Sequence, residues 1–397
     1  MMRNKKLQEL DLSLNSLIVF RHILTDPVIV PLRPLLDIET TDPIIQLRQY
    51  AEFTSRLFPQ NMNLTEYLLG LVLHDDNFFV RMLAKGDKPD DILYACVRNE
   101  LGIIERLAHL KPVELMKEIS YYGPLPEWKI SDIDFAETYF TRLDELTKFG
   151  YGHYAQSTVF TVEHGRTIPA QHPDPVRLSQ LFGYEEERGA VIRNTIALLE
   201  GKPAQNVLLC GDTGTGKSST VKAIVNEYAG DGLRLIQITK EQLRGLPAVW
   251  DSIYGNPLKF ILFIDDLSFH PGDGSFSELK AILEGSVTAM PSNAVIYATS
   301  NLTQLVPMPG RGEIIGDDEV QERISLAARF GLRVQFKAPD KEEYLSIVQA
   351  IADLSELPLD TDTLCEEAEK FAVRAGGRSP RAAKQAVQQA MAEIADA

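Results

Sequence analysis

A glycine-rich stretch that follows a short apolar run constrains the fold of this chain more than any other feature. Residues 206–219 read NVLLCGDTGTGKSS and match the pattern G-x-x-x-x-G-K-[ST], with a strand-like run before it and a helical pattern after it. Glycines let the backbone turn its N–H groups inward, and the following helix N-terminus favours anions, so such a loop holds phosphate oxygens. We predict phosphate contacts from Gly211, Asp212, Thr213, Gly214, Thr215, Gly216, Lys217, Ser218 and Ser219.

From this loop onward, short apolar runs alternate with helical patterns. The runs are NVLLC, LRLIQIT, FILFID, AVIYAT and LRVQF, and each is long enough for a strand but too short for most helices. Alternating strands and helices indicate a parallel sheet that is covered on both faces. The sequence therefore predicts an α/β P-loop core over residues 176–340, followed by a helical lid over residues 341–397, where only helical patterns remain.

The N-terminal part of the chain has a different pattern. Apolar residues recur at helical spacing, as in LGIIERLAHL, so we predict a mainly helical domain over residues 1–163 that ends in a strand candidate, STVFTVE. The next residues, 164–175, contain three prolines and a glycine, which is typical of a linker. We found no catalytic constellation in the N-terminal domain.

Two adjacent acids end the apolar run KFILFIDD. A buried unpaired carboxylate is costly, so packing alone does not explain them. At the carboxyl end of a sheet strand, Asp265 would face the phosphate loop and share Mg²⁺ with the Ser218 hydroxyl, while Lys217 reaches the β- and γ-phosphates. Asp266 would orient or deprotonate the attacking water; the alternative is that it caps the following loop in solvent.

Composition excludes several classes of function. The net charge of −16 argues against non-specific nucleic-acid binding, which depends on phosphate neutralisation. No apolar run approaches the ~20 residues of a membrane span, and the N-terminus lacks a signal-peptide cleavage site. The three widely spaced cysteines form neither a disulfide framework nor a metal site. We therefore expect a cytoplasmic protein that does not contact membranes.

The ordered set of motifs resembles the AAA+ ATPase superfamily over residues 175–397. Within that superfamily it is similar to the bacterial ATP-binding family known as domain-of-unknown-function family 815. The segments that carry this resemblance are LFGYEEERGAVIRNTIALLEGKPAQNVLLCGDTGTGKSSTVKAIVNEY, FILFIDDLSF, VIYATSN and ISLAARFGL. The resemblance implies ATP and Mg²⁺ as ligands and a homo-oligomer as the assembly.

The resemblance also assigns roles outside the loop. LFGY places Phe182, Gly183 and Tyr184 where AAA+ proteins frame the adenine, and Asn301 at the position called sensor 1. Many AAA+ proteins have glutamate where this chain has Asp266, and the shorter side chain leaves the rate of hydrolysis open.

Arginines after the fourth apolar run complete the family pattern. Arg329 resembles the arginine finger that acts on a neighbouring subunit, with Arg323 as the alternative. On the lid, Arg381 resembles sensor 2, and Arg378 is the weaker candidate.

Together these features predict an oligomeric Mg-ATP-dependent ATPase that remodels a protein partner, with the N-terminal domain as the partner-binding or autoregulatory part. One alternative is a slow ATP-dependent switch, and another is an initiator- or loader-type ATPase that acts on nucleic acid. An unfoldase pore would use an aromatic loop between the second and third strands, where Trp250 and Tyr254 lie; the alternative is that both face the core. The loop 268–276, which has two phenylalanines, is instead a candidate for contact with another subunit.

Overall fold

The structure is a computed structural model that describes residues 5–37, 42–267, 274–284, 289–301, 328–355 and 360–395. It divides the chain into two compact units, Met1–Gln156 and Ser157–Ala397. The division lies before the strand that was predicted to end the N-terminal domain. That strand, Val159–Glu163, belongs to the second unit, and Arg166–Pro169, within the predicted linker, is also a strand. Both segments pair in the sheet, which the local proline and glycine content did not indicate.

The first unit is helical. Its α-helices are α1 Lys5–Leu14, α2 Ile29–Leu36, α3 Pro43–Leu57, α4 Leu64–His74, α5 Phe78–Ala84, α6 Asp91–Ala108, α7 Pro112–Met116, α8 Phe135–Asp144 and α9 Leu146–Phe149. Asp42 caps α3 by accepting from the Ile44 N–H, and Pro43 occupies the first helical turn, where its missing N–H has no cost. The core is aromatic and aliphatic, with Phe53 packed edge-on against Trp128.

A buried carboxylate holds part of this helical unit together. Glu100 on α6 is 1% exposed, and its two oxygens accept hydrogen bonds from the backbone N–H groups of Ile18, Val19 and Phe20 at 2.8–3.2 Å. These bonds explain how a carboxylate can be buried here, because hydrogen bonds to its oxygens offset the free-energy cost of removing the charge from water.

The second unit is built on a seven-stranded sheet. Its strands are β1 Val159–Glu163, β2 Arg166–Pro169, β3 Val207–Gly211, β4 Leu233–Ile238, β5 Lys259–Ile264, β6 Ala294–Ser300 and β7 Leu332–Phe336. The strand order is β2-β1-β4-β5-β6-β3-β7, and only the β1–β2 pair is antiparallel. The predicted parallel α/β fold is confirmed. Because β3, β5 and β6 run parallel, their carboxyl ends lie at one edge of the sheet.

Helices cover this sheet and form a separate bundle at the end of the chain. They are α10 Glu185–Leu199, α11 Lys217–Tyr228, α12 Leu246–Ile253, α13 Gly274–Glu284, α14 Lys341–Leu354, α15 Thr361–Arg374 and α16 Pro380–Ala395. The last three helices, called the lid here, share a small core around Tyr344, Val348 and Ala383.

The two candidate pore residues, Trp250 and Tyr254, differ strongly in solvent exposure. Trp250 is buried at 2% exposure, whereas Tyr254 is 75% exposed. Residues 268–273 lie outside the described part of the chain. None of the helices among the described residues combines the length and apolarity that a membrane crossing requires.

Candidate nucleotide-binding site

The loop between β3 and α11 depends on glycines for two different reasons. Gly211 has φ +135°, and a side chain there would overlap the carbonyl oxygen of Phe336 on β7. Gly214 and Gly216 have φ +82° and +90°, a conformation that other residues rarely adopt. Gly211 therefore permits close strand packing, and the other two glycines shape the loop that precedes α11.

Lys217 begins α11 and folds back over the loop. Its side chain is 5% exposed, and Nζ donates to the carbonyl oxygens of Gly211 and Asp212 at 2.8 and 2.7 Å. Burial lowers the pKa of this ammonium group, and the nearby Asp212 carboxylate only partly offsets that effect. The positive charge thus lies at the centre of the glycine-rich loop.

Asp265 lies beside the loop and receives two hydroxyl groups. Ser218 Oγ donates to Asp265 Oδ1 at 2.6 Å, and Thr299 Oγ1 donates to the same oxygen at 2.7 Å. The three side chains come from α11, from the end of β5 and from β6. The predicted pair of Ser218 and Asp265 therefore lies within hydrogen-bonding distance.

Asp266 has a left-handed backbone that turns it away from its neighbour. Its φ is +56°, its N–H donates to Thr299 Oγ1 at 2.9 Å, and its Oδ1 accepts from Asn301 Nδ2 at 2.8 Å. Thr299 thus binds the side chain of one acid and the backbone of the next. No motif in the sequence marks Thr299, and only its position two residues before Asn301, at the end of a strand, could have indicated this role.

These groups open into a cavity of about 780 Å³ in the second unit. The size lies within the range of about 300–1,000 Å³ that is typical of small-molecule sites. Residues predicted for the site that line it are Phe182, Thr213, Gly214, Thr215, Gly216, Lys217, Ser218, Ser219, Asp265, Asp266, Asn301 and Arg381. The cavity lining also includes apolar side chains, with Val176 and Leu181 from the segment before α10 and Ile347 and Ile351 from the lid.

The lid contacts the tip of the glycine-rich loop directly. The Arg381 N–H donates to the Gly214 carbonyl oxygen at 3.2 Å, and Ser379 Oγ would lie 3.0 Å from a side chain at Gly214. Arg381 lines the cavity, as does Lys384 one turn further along α16. Arg378 instead donates two 2.8 Å hydrogen bonds to Glu369 within the lid. Unlike Arg381, it does not line the cavity.

Several predicted residues do not line the cavity. The Tyr184 ring packs 5.1 Å from that of Phe336, and its hydroxyl donates to the Lys337 carbonyl, so the side chain is directed to the core. Gly183, with φ +73°, lies against Ile347 of the lid. Leu181 and Phe182 of the LFGY segment line the cavity, whereas Gly183 and Tyr184, both with left-handed backbone, do not; that Gly183 and Tyr184 frame a base stays a prediction.

Three further residues that were predicted for the site also do not line the cavity: Gly211, Asp212 and Arg329. Gly211 lies beneath the loop against β7, as described above. The Asp212 carboxylate accepts from the Ala338 N–H at 2.9 Å and so anchors the loop to the end of β7. Arg329 is exposed just before β7 and is not among the residues that line the cavity, and Arg323 lies outside the described residues.

Arg188 on α10 lines the cavity, although no sequence motif marked it. Its side chain is 11% exposed and donates to the Gly183 carbonyl and, at 3.1 Å, to the Glu185 carboxylate. Burial lowers the pKa of its guanidinium group. This arginine holds the segment that precedes α10 in place.

The oxygen atoms at the loop fit a hard cation. Ser218 Oγ and Asp265 Oδ1 are ligand types that Mg²⁺ prefers, and Mg²⁺ commonly takes only one or two protein ligands beside phosphates and water. In the part of the chain that the structure describes, no group of three or more His, Cys, Asp or Glu residues could hold a metal ion by itself. A cation here would therefore depend on the phosphates of a bound nucleotide.

Comparisons with known proteins give one family match and several solved structures of low similarity. The family model described as "Protein of unknown function (DUF815)" matches residues 154–394. A solved variant of RuvB from Thermotoga maritima is 16% identical, with a TM-score of 0.39 over 57% of this chain and 68% of its own. A second RuvB variant is also 16% identical, with a TM-score of 0.38 over 56% and 67%. A structure described as the RuvB Holliday junction branch migration motor is 15% identical, with a TM-score of 0.32 over 55% and 71%. No curated protein matches the chain.

The family match covers more than half of the chain, and it spans the whole of the sheet, the glycine-rich loop and the lid. This protein therefore belongs to the DUF815 family, and its second unit is an α/β fold in which a mainly parallel sheet carries the glycine-rich loop.

Proposed function

We propose that this protein is a Mg-ATP-dependent AAA+ ATPase that couples ATP hydrolysis to the remodelling of a protein partner, as a homo-oligomer. One observation carries the proposal. The hydroxyl groups of Ser218 and Thr299 converge on Asp265 at 2.6 and 2.7 Å, in the cavity that also contains the glycine-rich loop.

Each group in the cavity has a chemical role in this reaction. Lys217 binds the β- and γ-phosphate oxygens, and Ser218 and Asp265 hold Mg²⁺. When bound, Mg²⁺ neutralises negative charge that develops on those oxygens. Asp266 orients the attacking water and accepts its proton, and the Asn301 amide beside it holds the same water or the γ-phosphate. Arg381 reaches the phosphates from the lid.

In the proposed function, the lid couples ATP hydrolysis to a conformational change. Its backbone bonds to the loop at Gly214, and Arg381 lies in the cavity, so loss of the γ-phosphate changes a contact between two separately packed bodies. Ligand-dependent contacts of this kind bias two-state elements in nucleotide switches.

A homo-oligomer is proposed because the arginine-finger candidate does not line the cavity of its own chain. Arg329 is exposed and lies outside the cavity of its own chain, a position that suits a finger supplied to a neighbouring subunit. Such a cation stabilises charge in the transition state. Arg323 is the alternative finger.

A protein is proposed as the partner, bound by the first unit. The net charge of −16 opposes a phosphate backbone. The first unit has exposed apolar side chains, among them Leu12 at 70%, Ile92 at 80% and Tyr122 at 105% exposure, and the proposed partner would cover such residues. The three cysteines are free thiols, which supports a reducing cytoplasm as the compartment.

A slow ATP-dependent switch is the second candidate, and the geometry of Asp266 favours it. The carboxylate is one methylene shorter than glutamate, and it is held by Asn301 at 2.8 Å. An acid that is short and engaged would deprotonate water inefficiently, so ATP would persist in the site.

ATP binding, phosphate release and particle size in the purified full chain, with and without ATP, test the proposal. We expect saturable Mg-dependent ATP binding, steady turnover and ATP-dependent assembly, with binding lost in Lys217→Ala. ATP binding without turnover would favour the slow switch over the ATPase that remodels a partner. Equal ATP binding by the wild type and Lys217→Ala would overturn both candidates.

A further inference from the structure

The helix that follows the phosphate loop also holds the opposite wall of the cavity. Asn226 lies on α11, the helix that begins at Lys217. Its Nδ2 donates to the carbonyl oxygens of Asp174 and Val176, both at 2.8 Å. One side-chain amide thus uses both of its donors on the backbone of a single segment.

That segment lines the cavity where it contacts the later turns of α11, at Lys222 and Asn226. Asp174, Pro175 and Val176 are all part of the cavity wall. Asn226 is about 13 Å along the helix axis from Lys217, at 1.5 Å per residue. With the triphosphate bound at the loop, the nucleoside would occupy this region of the cavity. The apolar side chains of Val176 and Phe182 suit the face of a purine base.

Little else in its local structure fixes this segment. Residues 171–177 form neither helix nor strand, and most of them are exposed. Two further contacts join it to α11: Arg177 Nη1 donates to the Asn226 carbonyl at 2.7 Å, and Lys222 Nζ lies 3.6 Å from the Asp174 carboxylate. All of these contacts converge on the same side of one helix.

We propose that Asn226 is a positioning residue that fixes the base-binding wall of the nucleotide cavity. This role rests on the proposed function and deepens it. Asn226 does not line the cavity and does not reach the phosphates; it acts through the backbone of residues 174–176. Because α11 carries both the phosphate loop and this amide, the two ends of the nucleotide site are set at a constant separation by a single rigid element.

The test separates affinity for the base from affinity for the phosphates. Asn226→Ala is compared with the wild type in titrations with Mg-ATP and with inorganic tripolyphosphate. We expect ATP binding to weaken about tenfold, because the variant loses two hydrogen bonds that each account for about a threefold change in affinity. Tripolyphosphate binding should change less than about twofold, because the phosphate loop keeps its contacts. In turnover, KM should rise while kcat stays near the wild-type value.

A matched control is available in the same unit. Asn194 on α10 also donates from Nδ2 to a backbone carbonyl, that of Gln205 at 2.9 Å, but it does not line the cavity. Asn194→Ala should lower thermal stability and leave both titrations unchanged. Should Asn226→Ala fail to fold, Asn226→Ser keeps a single donor, and we expect a weakening of ATP binding of about threefold, half the tenfold effect on a logarithmic scale.

The outcomes distinguish this role from the proposed function. If the wild type takes up no ATP, the proposed function fails. If the wild type binds ATP but the folded Asn226 variants bind it equally well, the positioning role is overturned. A folded variant that lowers kcat with no change in KM, or loses tripolyphosphate and ATP to the same extent, would also overturn it.

Discussion

The Asn301 side-chain amide donates a 2.8 Å hydrogen bond to the carboxylate of Asp266. The two residues follow neighbouring parallel strands, β6 and β5, and meet at the edge of the sheet where the phosphate loop also lies. In the proposed reaction this bond places a carboxylate and an amide around one water molecule.

Replacement of Asp266 tests its part in turnover. We expect Asp266→Asn to lower kcat by about 10²–10⁴-fold, the usual worth of a general base, while the Kd for ATP changes little. Asp266→Glu should raise kcat if the reach of the shorter acid limits hydrolysis. Steady-state phosphate release and nucleotide titration give the two constants. Normal turnover in Asp266→Asn would exclude it as the base.

Removal of the Thr299 hydroxyl should affect both acids. Thr299→Val keeps the shape of the side chain but loses its hydrogen bond to Asp265 and leaves the Asp266 N–H without its acceptor. We expect the free energy of unfolding to fall by about 1–3 kcal/mol. We expect a higher Mg²⁺ requirement for ATP binding as well. Thr299→Ser retains the hydroxyl and is the control. Equal Mg²⁺ titrations for the valine variant and the wild type would argue against this role.

Burial of Lys217 should make stability depend on pH in alkaline solution. Burial lowers the pKa of its ammonium group in the folded chain, whereas the unfolded chain keeps a value of about 10.4. Between these two values the unfolded chain binds more protons, so the unfolding free energy rises with pH. The wild type should gain stability relative to Lys217→Met across that window, measured by thermal unfolding without nucleotide. Parallel curves for the two proteins would contradict the expectation.

Complementation between two inactive subunits tests whether Arg329 acts in trans. Arg329→Ala should lower kcat by about 10³-fold or more. Mixing it with Lys217→Ala should restore activity, because a subunit with an intact loop then meets a neighbour with an intact arginine. Phosphate release across mixing ratios is the measurement. No recovery at any ratio would remove Arg329 as the finger, and the same mixture made with Arg323→Ala tests the alternative.

The chain sequence by itself determined the elements and the centre of the site. Gly211, Gly216, Lys217 and Ser218 are near neighbours whose conformation depends on local sterics, so their spacing predicts a phosphate loop without knowledge of the fold. The alternation of apolar runs and helical patterns predicted the parallel sheet for the same local reason. The position of Asp265 at the end of such a run then predicted that it would lie beside Ser218.

Tertiary structure alone decided which distant groups meet. Thr299 reaches Asp265, and Asn226 reaches Asp174, only because the strand order and the packing of α11 bring them together. The local sequence of LFGY gives no indication that Tyr184 turns to the core, since that depends on Phe336 from β7. Hydrogen bonds act over about 3 Å, whereas sequence patterns report only on neighbours along the chain, so contacts between separate elements require the fold itself.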